Sequence, residues 1–461
     1  MFERDITTEL QQWKGKIGRK PLVLRGARQV GKTTVVRQFA RQFKGFIYLN
    51  LELPEDKKPF LEFSNFETLL QAIFFLKNKT LADRADTLVF IDEIQEVPDV
   101  LQQLRHFYEQ APDIPVIAAG SMLESLFSPQ ISFPVGRVDY LVIRPASFVE
   151  FLRATGETAA LQQVLMVPAA KFAHEKLLQL FRTYCLIGGM PEVVARYAAA
   201  KDLVALQSVY ESLLVSYIDD VEKYGGSAVH VQHIRHAMRS SFAEAGKRIT
   251  FQHFGHSPYK SREMAEALRT LEKALLLHLV YPQTSPLLPL QPDLNRSPRL
   301  QVLDTGMLNY FVGLQKEILG TVDLNDVYQG MVIEHIVGQE LLARQYSALH
   351  GLTFWVRDKA GASAEVDFLF AYEGKLVPIE VKAGATGKMR SLFQFMEMAP
   401  HALAVRLYAG ELLVSTVQTP NGKPFYLLNL PYYLVSQLPA YLTWLEGEIA
   451  RIKTPGEKTE G

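Results

Sequence analysis

Pro21-Leu22-Val23-Leu24-Arg25-Gly26-Ala27-Arg28-Gln29-Val30-Gly31-Lys32-Thr33-Thr34 decides how the N-terminal third of this chain folds. Its first five residues are mostly apolar and read as a buried strand. They run into the spacing GxxxxGKT and then into Val35-Val36-Arg37-Gln38-Phe39-Ala40, which reads as a helix. With a strand before it and a helix after it, that spacing carries a mechanism. Glycines let the backbone curl until its N–H groups and the helix N-terminus face a phosphate chain. Gly26, Ala27, Arg28, Gln29, Val30, Gly31, Lys32, Thr33 and Thr34 are therefore expected to cradle ATP. Lys32 would reach the β- and γ-phosphates, and the Thr33 hydroxyl would ligate Mg²⁺.

Working outward, Thr87-Leu88-Val89-Phe90-Ile91 is a second apolar, strand-like run, and it ends in Asp92-Glu93. Asp92 is placed to hold the Mg²⁺ shell, and Glu93 to polarise the attacking water. A third run, Ile114 to Ala119, ends in Gly120-Ser121, which puts a small hydroxyl near the expected γ-phosphate. Strands alternating with helical patterns imply a parallel sheet with ligands at the strand C-termini. Here the chain resembles the AAA+ ATPases. The resemblance implies a sensor-1 role for Ser121. It also makes Arg137, in Val135-Gly136-Arg137, a candidate arginine reporting on the γ-phosphate, supplied by a neighbouring subunit or by closure of a lid.

The chain has 461 residues, more than one core usually holds, so several domains are expected. Its 49 Lys and Arg balance 49 Asp and Glu. Bulk charge therefore does not drive nucleic-acid binding, and any such contact must use local patches. A single cysteine, Cys185, excludes an internal disulfide and a multi-cysteine zinc site, in keeping with a reducing compartment. The N-terminus carries no basic-then-apolar leader, and the apolar run Ala274 to Val280 is far too short to cross a bilayer. The expectation is a cytoplasmic protein without membrane contact.

After a P-loop core over 1–155 the sequence reads as a helical lid over 156–226, interrupted at Leu186-Ile187-Gly188-Gly189-Met190-Pro191. A winged-helix-like domain is expected over 227–315: a helix to about Ala243, an extended piece at Arg248-Ile249-Thr250-Phe251, and a second helix from Ser261. Met264, Leu268, Leu271 and Leu275 repeat along that second helix at helical spacing. Lys247, Arg248, Tyr259, Lys260 and Arg262 cluster at its entry. They suit either a recognition helix in a DNA groove or a small helical domain that transmits lid motion. A C-terminal α/β domain is expected over 316–445, then a polar tail over 446–461.

In that C-terminal part, strands at Phe354–Arg357, Val366–Phe370 and Leu376–Lys382 are expected, the last after a turn at Glu373-Gly374. Side chains alternate along a strand, so Glu380 and Lys382 share a face, and Asp367 can lie beside them. Glu334 lies on a helix stripe with Val337 and Leu341, where an unpaired carboxylate is costly. A metal ion shared with Asp367 and Glu380 would supply its partner. Helix-Glu, strand-Asp, strand-Glu-x-Lys is similar to the PD-(D/E)XK nuclease superfamily. That similarity implies Mg²⁺ on Glu334, Asp367 and Glu380, with Lys382 activating the attacking water. Pro378 places this strand close to a sheet edge.

Taken whole, the chain resembles a bacterial and archaeal group of AAA+-type ATPases with a nuclease-like C-terminal half of unknown role. The P-loop, Asp92-Glu93, Gly188-Gly189-Met190-Pro191, Leu303-Asp304-Thr305-Gly306 and Glu380-Val381-Lys382 carry the resemblance. Two functions remain open. In one, an ATP-hydrolysing enzyme acts on DNA and cleaves it under nucleotide control. In the other, a nucleotide-dependent switch uses its winged-helix and nuclease-like parts only to bind partners. A homo-oligomer or a protein partner is compatible with both.

Overall fold

The computed structural model describes residues 2–120, 136–221, 225, 227–314, 331–347, 349, 351–358, 364–382 and 389–453. Its N-terminal sheet contains β1 (Leu22–Arg25), β2 (Gly45–Asn50), β3 (Thr87–Asp92), β4 (Val116–Gly120) and β5 (Asp139–Val142) in the order β2-β3-β4-β1-β5. Every pairing in it is parallel. Alternation along the strands splits the core in two. Leu22, Leu24, Leu88, Phe90 and Ile117 face one side, and Val23, Val89, Ile91, Val116 and Ala118 face the other. A sheet buried on both faces needs continuous apolar strands, which is why β3 and β4 read as unbroken hydrophobic runs.

Among the described residues of the rest of the chain the strands are β6 (Leu277–Val280), β7 (Pro282–Gln283), β8 (Arg299–Val302), β9 (Phe354–Val356), β10 (Glu365–Val366), β11 (Phe368–Tyr372), β12 (Lys375–Val381), β13 (Leu403–Tyr408), β14 (Leu413–Gln418) and β15 (Pro424–Pro431). Helices Thr158–Leu165, His174–Ile187, Pro191–Ala200 and Gln207–Asp220 follow the first sheet. Helices Ala228–Ala243 and Ser261–Lys273 come next, with the antiparallel pair β6–β8 after them. The extended piece expected at Arg248 to Phe251 is reduced to one bridge, Arg248 to Arg299. Met264, Leu268 and Leu271 are buried along the second helix, as their spacing requires, but Leu275, expected on the same stripe, lies beyond the helix end at φ 59° and is only half-buried. The C-terminal sheet runs β11-β12-β13-β15-β14, with β12, β13 and β15 parallel and both outer strands antiparallel. Pro378 lies one strand in from its edge, opposite Leu369.

Two features cross the domain divisions expected from sequence. β7 pairs in parallel with β9, so the Pro-rich segment after β6 contributes a strand to a small sheet, β10-β9-β7. Helix Leu438–Lys453 runs through the division set at 446. One hydrophobic core reaches from Leu24 through Tyr184 and Leu308 to Leu428.

That shared core holds a buried polar knot. The Glu340 carboxylate accepts from the Phe148 N–H at 2.9 Å and from the Tyr184 hydroxyl at 2.7 Å, joining helices Phe148–Thr155, His174–Ile187 and Met331–Ala343. Its other oxygen is buried without a hydrogen bond. Burial pushes the Glu340 carboxyl up to about 7. A folded-state pKa above the ordinary carboxylate value means that this group stabilises the fold at low pH. The contribution is lost as pH rises through about 7, and the amount at stake is about 3 kcal/mol. Glu340→Gln keeps an acceptor for Phe148 and Tyr184 but cannot ionise. Urea unfolding should therefore show the variant gaining on the wild type between pH 5 and pH 8, and parallel stability curves would refute the assignment.

Candidate functional site

The loop between β1 and helix Lys32–Phe39 is shaped by Gln29 at φ 60° and Gly31 at φ 94°, left-handed conformations that turn successive N–H groups inward. Gly26 has no room for a side chain: a Cβ would lie 2.6 Å from the Ile143 carbonyl oxygen. The Lys32 Nζ donates to the Gly26 and Ala27 carbonyls, at 2.9 Å each, and burial lowers its pKa to about 8. At the end of β3 the Thr33 hydroxyl donates to Asp92 Oδ2 at 2.6 Å, and burial raises the Asp92 carboxyl. The two groups expected around Mg²⁺ are thus already in contact.

Glu93 adopts φ 54°, a conformation that costs a non-glycine residue of order 1 kcal/mol, and its side chain lines the cleft. Gln95 Nε2 donates to Glu93 Oε2 at 2.5 Å. The cleft has a volume of about 440 Å³. Its walls come from the loop, from Phe2 and Arg4, and from Pro191, Glu192 and Ala195 at the start of helix Pro191–Ala200. The donor set fits a nucleotide with Mg²⁺. Loop N–H groups and Lys32 would hold the phosphates, and Thr33 and Asp92 would hold the ion.

Four residues that sequence reasoning missed, Arg4, Glu150, Tyr217 and Asp220, complete this site. Arg4 donates to the Val30 carbonyl at 3.1 Å and to the Arg144 carbonyl at 2.6 Å, while its Nε lies 2.9 Å from Glu150. Glu150 is itself fixed by a capping box with Ser147. The spacing Ser147-x-x-Glu150 was readable in the sequence; its link to Arg4 was not. Within the loop, the Arg28 guanidinium pairs with Asp220, and the Tyr217 hydroxyl donates to the Arg28 carbonyl at 2.5 Å, both from helix Gln207–Asp220.

Of the remaining expected residues, Ser121 lies outside the described residues. Arg137 stands two residues before β5, beyond the β1 end marked by Leu22, whereas the loop follows the other end of β1. Its Nε donates to Glu109 at 2.7 Å. In this arrangement Arg137 stands at the opposite end of β1 from the same chain's loop.

The C-terminal carboxylates have a different environment from the one expected. Glu334 is not unpaired: the Arg299 guanidinium at the start of β8 bonds Glu334 and Glu365, and donates to the Asp367 carbonyl at 3.1 Å. A cation carried by the chain occupies the role given to a metal ion. Asp367 sits at the break between β10 and β11, where its Oδ2 accepts from the Val381 N–H at 2.7 Å. Glu380 and Lys382 share a face, as the strand period requires, and pair at 2.5 Å. Burial pushes Glu334 up to about 8 and Glu380 up to about 7. Among the described residues no group of three or more His, Cys, Asp or Glu side chains is placed to hold a metal ion.

The basic and aromatic residues proposed for a DNA groove have partners within the chain. Tyr259 packs on His233 and His236, Arg248 approaches Glu365 at 3.7 Å, and Arg262 pairs with Glu266 at 3.4 Å.

Residues 18–152 match a family described as an AAA domain. That match, together with the loop geometry and the five-stranded parallel sheet, supports an AAA-type ATPase and with it ATP binding and hydrolysis. Residues 178–318 and 329–431 match two families described as domains of unknown function, DUF8612 and DUF4143. Among solved structures, a Walker-type ATPase of Pyrococcus abyssi aligns at 15% identity with a TM-score of 0.43, over 68% of this chain and 96% of its own. No curated protein matches. No helix among the described residues is long and apolar enough to cross a membrane.

Proposed function

We propose that this chain is an ATP-hydrolysing molecular switch in which nucleotide turnover at the loop repositions the middle and C-terminal parts. One observation carries the reading. Helix Pro191–Ala200 begins in the wall of the nucleotide cleft, and the Gly188-Gly189 turn before it is seated on Asp304. The Gly189 N–H donates to Asp304 Oδ2 at 2.6 Å, and a Cβ at Gly188 would lie 2.3 Å from Asp304 Oδ1. Asp304 also caps helix Thr305–Phe311 through the Met307 N–H at 3.0 Å. Gln339, on the helix that carries Glu334, reaches the same carboxylate at 3.4 Å. A ligand that favours one seat of the turn biases all three helices, because packed contacts of this kind switch between discrete arrangements.

Lys32 and the loop N–H groups hold the phosphates, Glu93 takes the water proton, and Arg28 reports to helix Gln207–Asp220 through Asp220. Mg²⁺, when bound, neutralises phosphate charge. Arg137 enters this scheme only from a neighbouring copy. The second reading, a nuclease under nucleotide control acting on DNA, draws support from Asp367, Glu380 and Lys382 on neighbouring strands.

Glu93→Gln tests the switch. It should bind ATP as the wild type does and lose turnover by about 10²-fold or more. With ATP bound, hydrogen exchange should change at Thr305–Phe311 in both proteins. Exchange that responds only within 18–152 would sink the switch. Turnover per chain that does not vary with protein concentration would remove Arg137. Mg²⁺-dependent nicking of circular DNA that disappears in Asp367→Asn would select the nuclease.

A further inference from the structure

A second cleft, of about 520 Å³, is lined by Arg25, the β1 residue that precedes the nucleotide loop, and by Val142 and Arg144 at the end of β5. Among the described residues its lining carries Arg25, Arg144, Arg269 and Lys273 against one carboxylate, Glu272. The excess of positive charge is large for a chain whose overall charge is zero. Two of these cations, Arg269 and Lys273, are exposed and four residues apart on helix Ser261–Lys273, so both project from one face. Arg144 is half-buried, with Nη1 2.9 Å from His278 Nε2. Burial and the neighbouring Arg144 lower His278 to about 3, so this imidazole is a neutral acceptor and leaves the guanidinium charge unbalanced. Tyr281 adds an aromatic wall, its hydroxyl close to Arg269. Converging guanidinium and ammonium groups in a cleft of this size suit a small polyphosphate.

We propose that this cleft is a second phosphate-ligand site, taking a polyphosphate or a nucleoside polyphosphate, and that it communicates with the catalytic loop. The connection is covalent on one side: Arg25 is followed by Gly26, and the Arg25 carbonyl accepts from the Ile143 N–H at 2.8 Å. On the other side the Arg144 carbonyl accepts from Arg4, whose side chain lines the nucleotide cleft. An anion that draws Arg25 and Arg144 inward therefore acts on both walls of the loop. By linkage, ATP at the loop alters affinity for the anion by the same factor. The cleft stands on its own lining and does not depend on the switch reading.

The test is calorimetry on the full chain with Lys32→Ala, which silences the catalytic loop. Inorganic tripolyphosphate and ATP are titrated separately. One saturable event should remain, and it should weaken by about tenfold or more when Arg269→Ala and Lys273→Ala are added, because charge-assisted contacts are lost. Arg269→Gln with Lys273→Gln, which keeps the aliphatic stems, should weaken it equally. Equal affinity for the two ligands would mean that phosphate alone is recognised, and tighter ATP binding would mean that the base contacts Tyr281. Either outcome supports the site. No binding in Lys32→Ala, or binding indifferent to both Arg269/Lys273 pairs, overturns it. A short single-stranded DNA that binds through Arg269 and Lys273 when tripolyphosphate does not also overturns it, in favour of a nucleic-acid contact.

Discussion

Lys32→Ala should weaken ATP binding by about a hundredfold or more, since charge-assisted hydrogen bonds to phosphate contribute about 1.5–3 kcal/mol each and this lysine is placed to make more than one. The fold should survive the change. Lys32 is a buried cation whose pKa burial has already lowered to about 8, so removing it relieves a desolvation cost while giving up two hydrogen bonds to loop carbonyls. The same lowered pKa sets a pH signature. Phosphate needs the ammonium, so wild-type ATP affinity should stay level up to about pH 8 and then fall by as much as tenfold per pH unit. The alanine variant should lack that fall. Fluorescence titration of a labelled nucleotide from pH 6.5 to 9.5 measures both effects. Wild-type affinity that is level across this range would show that Lys32 does not titrate there, and a Lys32→Ala variant that binds ATP as the wild type does would show that it is not the group that meets the phosphates.

What was legible in the sequence follows from how far each interaction reaches along the chain. The loop, β3 and the start of helix Ser261–Lys273 are fixed by neighbours within a few residues, and spacing reports such contacts directly. Thr33 and Asp92 are 59 residues apart yet were placed together, because a strand, loop and helix that bind phosphate leave few positions for the ion's acidic ligand. Arg28 with Asp220, 192 residues apart, had no such template. Glu334 is the instructive case. Its place on an apolar helix face showed that it needs a positive partner, but not which one. Arg299 heads a short apolar strand after a Pro-rich stretch, and nothing local aims it at a helix 35 residues later. Leu186–Pro191 was visible as a turn and Leu303–Gly306 only as part of a family resemblance, while their contact through Asp304 is purely tertiary.

Arg299→Ala should be strongly destabilising, costing about 3–5 kcal/mol once the carboxyl groups around it are ionised, because it strips the cation from a half-buried cluster of acidic side chains. Arg299 is 9% exposed at its side chain and bonds Glu334 and Glu365 together, so its loss strips Glu334 of this cation, leaves Glu365 only the longer contact with Arg248, and exposes Asp367 to their charge. The penalty should depend on pH in a definite direction. Burial already holds Glu334 up at about 8, and Arg299 is what opposes that rise. Without the guanidinium the carboxyl moves higher still. A raised folded-state pKa favours the fold at low pH and costs stability as pH climbs above the ordinary carboxylate value. The gap due to Glu334 should therefore open as pH rises through about 8, so the variant should lie closer to the wild type at pH 6 than at pH 9.5 in urea unfolding. A divalent ion then separates the two readings of this cluster. If Glu334, Asp367 and Glu380 can share a metal once Arg299 is gone, millimolar Mn²⁺ should raise the variant's Tm and leave the wild type's unchanged. If the cluster is an arginine-centred joint between the middle and C-terminal parts, Mn²⁺ should shift neither. A wild type whose Tm already rises with Mn²⁺ would instead mean that the metal displaces Arg299, which reopens the nuclease chemistry at Asp367, Glu380 and Lys382.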